Sequence, residues 1–131
     1  MSASASSPPP ALHQLEAEVM AEVWREDREL TVREVMDGIN ARAPQQRAYT
    51  TFMTIMRRLA TKGLLERRRE GKADFYVAVW SEAGYRAARV QADTSAMIEQ
   101  YGDAALVAFA SAVEGVDPAR RRLLRKLARD A

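Results

Sequence analysis

A chain of 131 residues, 47% apolar and 29% charged, is long enough to bury one core and has the composition of an ordinary globular protein. It contains no cysteine and a single histidine, His13, which excludes disulfides, thiolate metal sites and thiol nucleophiles, so no metal, cofactor or catalytic residue is assigned. The net charge is +2, no apolar run approaches the roughly 18 residues of a membrane span, and no signal peptide is recognisable, so membrane insertion is not expected and the cytoplasm is the expected location.

Residues 1–10 (MSASASSPPP) are small, polar and proline-rich; they bury too little apolar area to offset the entropy of ordering and read as a disordered tail. From Leu12 onward, Leu12, Leu15, Val19, Met20, Val23 and Trp24 recur at spacings of three and four, the stripe of a first amphipathic helix. Thr31 followed three residues later by Glu34 is a capping box that opens a second helix, with core positions Val32, Val35, Met36 and Ile39. The stretch 41–47, with Pro44, connects it to a third helix over 49–62, which Gly63 ends because glycine tolerates the positive φ found just past a helix.

On that third helix Phe52, Ile55, Met56 and Leu59 form one face, and Thr50, Thr54, Arg57, Arg58 and Thr61 form the other. There is no acid from Ala48 to Lys62, whereas solubilising surfaces mix signs. The charge of the chain divides accordingly: residues 12–40 carry three cations against eight acids (−5), and residues 41–80 carry nine against three (+6). Cations concentrated in one half of a small domain suit a phosphate-facing surface; a solvated charged face is the plainer alternative.

Past Gly63 the pattern turns strand-like, 64–69 and 73–80 around a polar turn at Glu70-Gly71-Lys72, with a short extended piece near Glu29 and Leu30 available as a third strand. Three helices and a hairpin predict a winged helix-turn-helix over 11–81, mainly α with a small antiparallel β wing. Ser81 is placed to cap a long helix that breaks near Gly102, and Asp117-Pro118 reads as the cap and first residue of a last one. The segment 82–131 is expected to be a helical dimerisation region. Its apolar positions Val90, Met97, Ile98, Tyr101, Leu106, Phe109, Val113, Leu124 and Leu127 have no further domain to cover them, and a second copy related by a two-fold axis is the simplest supplier.

The segments LEAEVMAEVW (15–24), LTVREV (30–35), AYTTFMTIMRRL (48–59) and KGLL (62–65), in this order and spacing, resemble the penicillinase-repressor family, BlaI/MecI/CopY. The resemblance covers about residues 12–81. It implies a sequence-specific repressor that binds a pseudo-palindromic operator in double-stranded DNA as a homodimer. Relief of repression in that family involves copper or cleavage by a protease sensor. This chain lacks the cysteines of the first route, and its one asparagine, Asn40, lies outside the helical tail where the second cuts an Asn-Phe bond, so the inducing signal and any protease sensor stay open.

Thr50, Thr51 and Thr54 occupy the first turns of the third helix, the part of a recognition helix that reaches base edges, and a threonine offers a hydroxyl or a methyl there. For Thr50 the competing role is a helix cap. Tyr49, Arg57, Arg58 and Lys62 are placed to hold flanking phosphates, with an internal salt bridge as the competing role for Arg58. Around the wing, Arg67, Arg68, Arg69 and Lys72 include one or two phosphate or minor-groove contacts, and strand alternation turns the others to solvent or an acid. The basic last helix is better explained as a solvated face. Alternative functions are a ligand-sensing regulator with an effector pocket in the C-terminal helices, and a protein-interaction module; an enzyme is the weakest reading, because Glu66 and Glu70 lie among arginines that suffice to explain them.

Overall fold

A computed structural model describes residues 7–130. In chain order it runs α1 (Gln14–Glu26), α2 (Val32–Asn40), α3 (Tyr49–Thr61), β1 (Leu65–Glu70), β2 (Ala73–Ala78), α4 (Glu82–Tyr101), α5 (Asp103–Glu114) and α6 (Pro118–Asp130). The predicted caps form. At α2 the Thr31 side chain accepts from the Glu34 amide at 3.2 Å while the Glu34 carboxylate accepts from the Thr31 amide at 2.9 Å. Gly63 ends α3 with φ 83°, Gly102 separates α4 from α5 with φ 59°, and Asp117 accepts from the amides of Ala119 and Arg120 at the start of α6.

Val19, Met20 and Val23 of α1, Val35 and Ile39 of α2, and Phe52, Met56 and Leu59 of α3 converge with Leu64, Leu65 and Tyr76 in one buried core. Each such side chain contributes about 1.5–3 kcal/mol on burial, so the three stripes together hold the helices at fixed angles and fix which side of α3 is left outside. The hairpin pairs Leu65 with Ala78 through Glu70 with Ala73, antiparallel. Leu30 supplies the third-strand piece as a single bridge, exchanging hydrogen bonds of 2.9 and 2.8 Å with Tyr76. The fold is thus mainly α with a two-stranded wing.

The chain divides into two units inside α4, one reaching Val90 and the other starting at Gln91. The beginning of α4 therefore goes with the winged helix rather than with the tail. Tyr85 is buried there, its ring 5.5 Å from that of Trp24, and its hydroxyl donates to the Pro10 carbonyl at 2.8 Å. Arg89 donates to the Pro9 carbonyl at 3.0 Å. Most of the expected disordered tail lies outside the described residues, but Pro9 and Pro10 depart from that expectation because side chains of α4 satisfy their carbonyls. In the second unit only Ala105 is buried among the described residues. No helix among them is long and apolar enough to cross a membrane.

Candidate nucleic-acid interface

The residues that α3 buries, Phe52, Ile55, Met56 and Leu59, set its outward side by helical geometry. Thr50, Thr51, Thr54, Arg57, Arg58 and Thr61 are all exposed, and Tyr49 is exposed at the helix start. The N-cap is Ala48, which makes no side-chain cap, so Thr50 stands inside the helix and is not spent as its cap. Arg57 and Arg58 form no ion pair with any described residue, and the alternative of an internal salt bridge for Arg58 does not arise. Thr61 turns its hydroxyl back to the Arg57 carbonyl at 3.1 Å.

On the wing, period-two alternation sorts the arginines. Arg67 and Arg69 stand opposite Tyr76 and Asp74, on the side of the hairpin that carries the buried Leu65 and Tyr76 and so faces the helices. They share one carboxylate, Asp74, at 3.8 and 3.5 Å. Arg68 stands on the other side, opposite Phe75, with its guanidinium 4.8 Å from that ring. It donates to both carboxylate oxygens of Glu29, at 2.9 and 2.8 Å, and to Glu70 at 2.9 Å. The Arg68 hydrogen bonds hold the Glu29 carboxyl below the ordinary glutamate range. Arg68 therefore ties the wing to the segment before α2, and all three wing arginines meet an acid, Arg67 and Arg69 on one side of the hairpin and Arg68 on the other. Lys72, at the turn, has no ion pair among the described residues.

Lys62 is likewise committed internally. Its ammonium lies 2.7 Å from the carboxylate of Glu16, which is 1% exposed and also accepts from the His13 amide at 3.0 Å. Burial pushes the Glu16 pKa up, but the His13 amide and the Lys62 ammonium outweigh it and leave it below the usual value. Arg47 reaches Glu18 at 3.4 Å, and Arg42 and Arg25 both pair with buried Glu22. Four of the nine cations in residues 41–80, namely Arg42, Arg47, Lys62 and Arg68, are thus matched by acids of the first half of the chain. Much of the charge asymmetry is internal complementarity. The cations left over, Arg57, Arg58, Arg67, Arg69 and Lys72, gather on α3 and the near side of the wing, and Lys62 and Arg68 are set apart from them.

A residue missed by sequence reasoning lies beside this group. Arg33, in the first turn of α2, places its guanidinium 5.4 Å from the centre of the Tyr49 ring. Together with Tyr49, Arg57, Arg69 and Lys72 it lines a cleft of about 380 Å³ between the start of α2, α3 and the wing. Helical periodicity puts Arg33 on the outer side of α2, but only the fold shows that α3 and the wing stand next to it.

Of the expected dimerisation residues, Val90, Met97, Tyr101, Leu106, Val113, Leu124 and Leu127 are exposed, and Ile98 and Phe109 are half-buried. Val107 and Leu123, which belong to the same apolar stripes in the sequence, are exposed as well. That many large apolar side chains left to water in one short segment is unusual for a surface that stays uncovered.

Among known proteins, the sequence model of the penicillinase repressor family matches residues 12–130. The chain is 38% identical over 116 residues to a protein named transcriptional regulator BlaI in two strains of Mycobacterium tuberculosis, spanning 86% of this chain and 82% of that protein. It is also similar to a solution structure of the DNA-binding domain of the repressor BlaI, at 26% identity and a TM-score of 0.50, covering 59% of this chain and 90% of that one.

Proposed function

Since the chain belongs to the penicillinase repressor family, we propose that it is a sequence-specific DNA-binding repressor, which inserts α3 into the major groove of its operator and acts as a homodimer. The observation that carries this reading is the outward side of α3: threonines at its start, arginines at its end, no acid, and no ion-pair partner for Arg57 or Arg58 among the described residues. The major groove admits an α-helix, and its base edges offer hydrogen-bond acceptors and thymine methyls that threonine can meet.

In this reading Thr50, Thr51 and Thr54 read bases, and Tyr49, Arg57 and Arg58 hold the flanking phosphates. Arg67, Arg69 and Lys72 bring the wing to the neighbouring backbone or minor groove. Phosphate contacts supply affinity and register; the threonines supply sequence preference. Lys62 and Arg68 serve the fold, the first through Glu16 and the second through Glu29.

The exposed apolar side chains of residues 91–130 support pairing through the C-terminal helices. A two-fold pair of such chains presents two α3 helices in opposite directions, and an operator bound by it has inverted half-sites. Sequencing of DNA fragments retained by the purified protein tests the proposal. Enrichment of one inverted-repeat motif is expected; retention of fragments without any shared motif contradicts it.

A further inference from the structure

If α3 lies in the major groove and the wing reaches the next minor groove, the sugar-phosphate strand that separates the two grooves runs between them. The space between α3 and the wing is the cleft of about 380 Å³ closed on its third side by the start of α2. Its charged lining is Arg33, Arg57, Arg69 and Lys72 against one carboxylate, Asp74, which is 14% exposed and already shared by Arg67 and Arg69. Arg33 forms no ion pair with a described residue; its one contact of note is the face of the Tyr49 ring, 5.4 Å away, which steers the guanidinium towards α3 while leaving its donors unused. Thr31, Val32 and Arg33 at the start of α2 line the same cleft.

From this arrangement we infer that Arg33 is a DNA-contacting residue, which binds a backbone phosphodiester seated in the cleft with Arg57, Arg69 and Lys72 around it. The inference rests on the reading of α3 as the groove-entering helix. Arginine suits the position because its planar fork donates two hydrogen bonds to one phosphate, and the stacking on Tyr49 pre-orients it. Arg33 then sets register between the reading helix and the wing, and it does so independently of base sequence.

The test uses the full chain and a random-sequence duplex, because a phosphate contact does not need the operator. Binding is followed by fluorescence anisotropy across a salt series for the wild type, Arg33→Gln, Arg33→Lys and, as a control away from the cleft, Arg86→Gln, with thermal unfolding to verify each fold. Arg33→Gln is expected to lower the slope of log affinity against log salt by about 0.9 for each protomer bound. Arg33→Lys is expected to restore the slope, and Arg86→Gln to leave it as in the wild type. A weaker affinity for Arg33→Gln with an unchanged slope assigns Arg33 a role only in holding Tyr49 and overturns the inference, while α3 remains the reading helix. Inorganic phosphate that raises the unfolding temperature of the wild type but not of Arg33→Gln, with equal slopes on DNA, makes the cleft a free-anion site and overturns it too. A wild type without salt-dependent DNA binding overturns both this inference and the function beneath it.

Discussion

Replacing Lys62 by Met separates the two tasks that its position allows. Methionine keeps the length and apolar volume of the stem and removes the ammonium. The Glu16 carboxylate, 1% exposed, then keeps the His13 amide on one oxygen and loses the 2.7 Å partner of the other. Removing one member of a buried pair costs about 3–5 kcal/mol, and the Lys62 side chain, 28% exposed, lets water recover part of that, which places the expected loss at about 2–3 kcal/mol. For a domain of this size that is a fall of roughly 10–20 °C in Tm, read by thermal or urea unfolding. The pH dependence carries the sign. In the wild type the folded-state pKa of Glu16 is lowered, so the pair stabilises the fold above the unfolded-state pKa of about 4.3 and the contribution disappears as pH falls through the lower folded-state value. In Lys62→Met the lowering by the ammonium is lost while burial and the His13 amide still oppose each other, so the folded-state pKa rises relative to the wild type and the deficit narrows in acid. The double change Glu16→Gln with Lys62→Met recovers much of the loss, because it leaves no buried charge. A single variant within about 0.5 kcal/mol of the wild type, the range of an ordinary surface change, refutes the reasoning. So does a salt slope on DNA that falls with the lost ammonium, since that would make Lys62 a phosphate ligand.

Three more outcomes follow from the same contacts. Gly38→Ala would normally stabilise a helix interior, but an added Cβ runs into the carboxylate of Glu22, which is buried with Arg25 and Arg42 on it; a loss of about 1 kcal/mol in urea unfolding is expected, and a gain refutes the close approach. Arg68→Gln is expected to leave the salt slope of DNA binding near that of the wild type while raising the protease sensitivity of the hairpin, whereas Lys72→Gln lowers the slope; the reverse order contradicts the assignment of Arg68 to Glu29. Leu124→Glu with Leu127→Glu is expected to shift sedimentation from dimer to monomer without changing the unfolding of the winged helix, whose core excludes both residues; an unchanged sedimentation coefficient removes the C-terminal helices from the dimer contact.

The elements were legible because each is governed by its own residues. The Thr31–Glu34 box, Gly63, Gly102 and Asp117 act within a few positions of themselves, and period 3.6 on α3 fixes which side is buried whatever it is buried against. Thr54 and Arg57 face outward for that reason alone. What the sequence leaves open is the identity of distant neighbours. Lys62 meets Glu16 across 46 positions and Arg68 meets Glu29 across 39, and neither pairing has a periodic signature. Cations of similar local setting therefore divide into those spent on the fold and those left outside. Alternation along β1 splits its three consecutive arginines between two sides; which acids they meet, Asp74 for Arg67 and Arg69 and Glu29 for Arg68, depends on the hairpin register and on the Leu30 bridge that brings Glu29 alongside. Arg33 was passed over because its own helix carries net acid and only the approach of α3 and the wing makes a cationic cleft of it.

Sequence reading by the outward row of α3 is tested most directly by Thr54→Ala. With the duplex recovered by fragment sequencing and a scrambled duplex of equal length, the affinity of wild type and variant is compared on both. Loss of one base contact of about 1 kcal/mol per protomer predicts roughly fivefold weaker operator binding for each half-site, with binding to the scrambled duplex unchanged. Equal losses on the two duplexes, or none on either, would mean that Thr54 does not face a base and that another surface of the protein reads the operator.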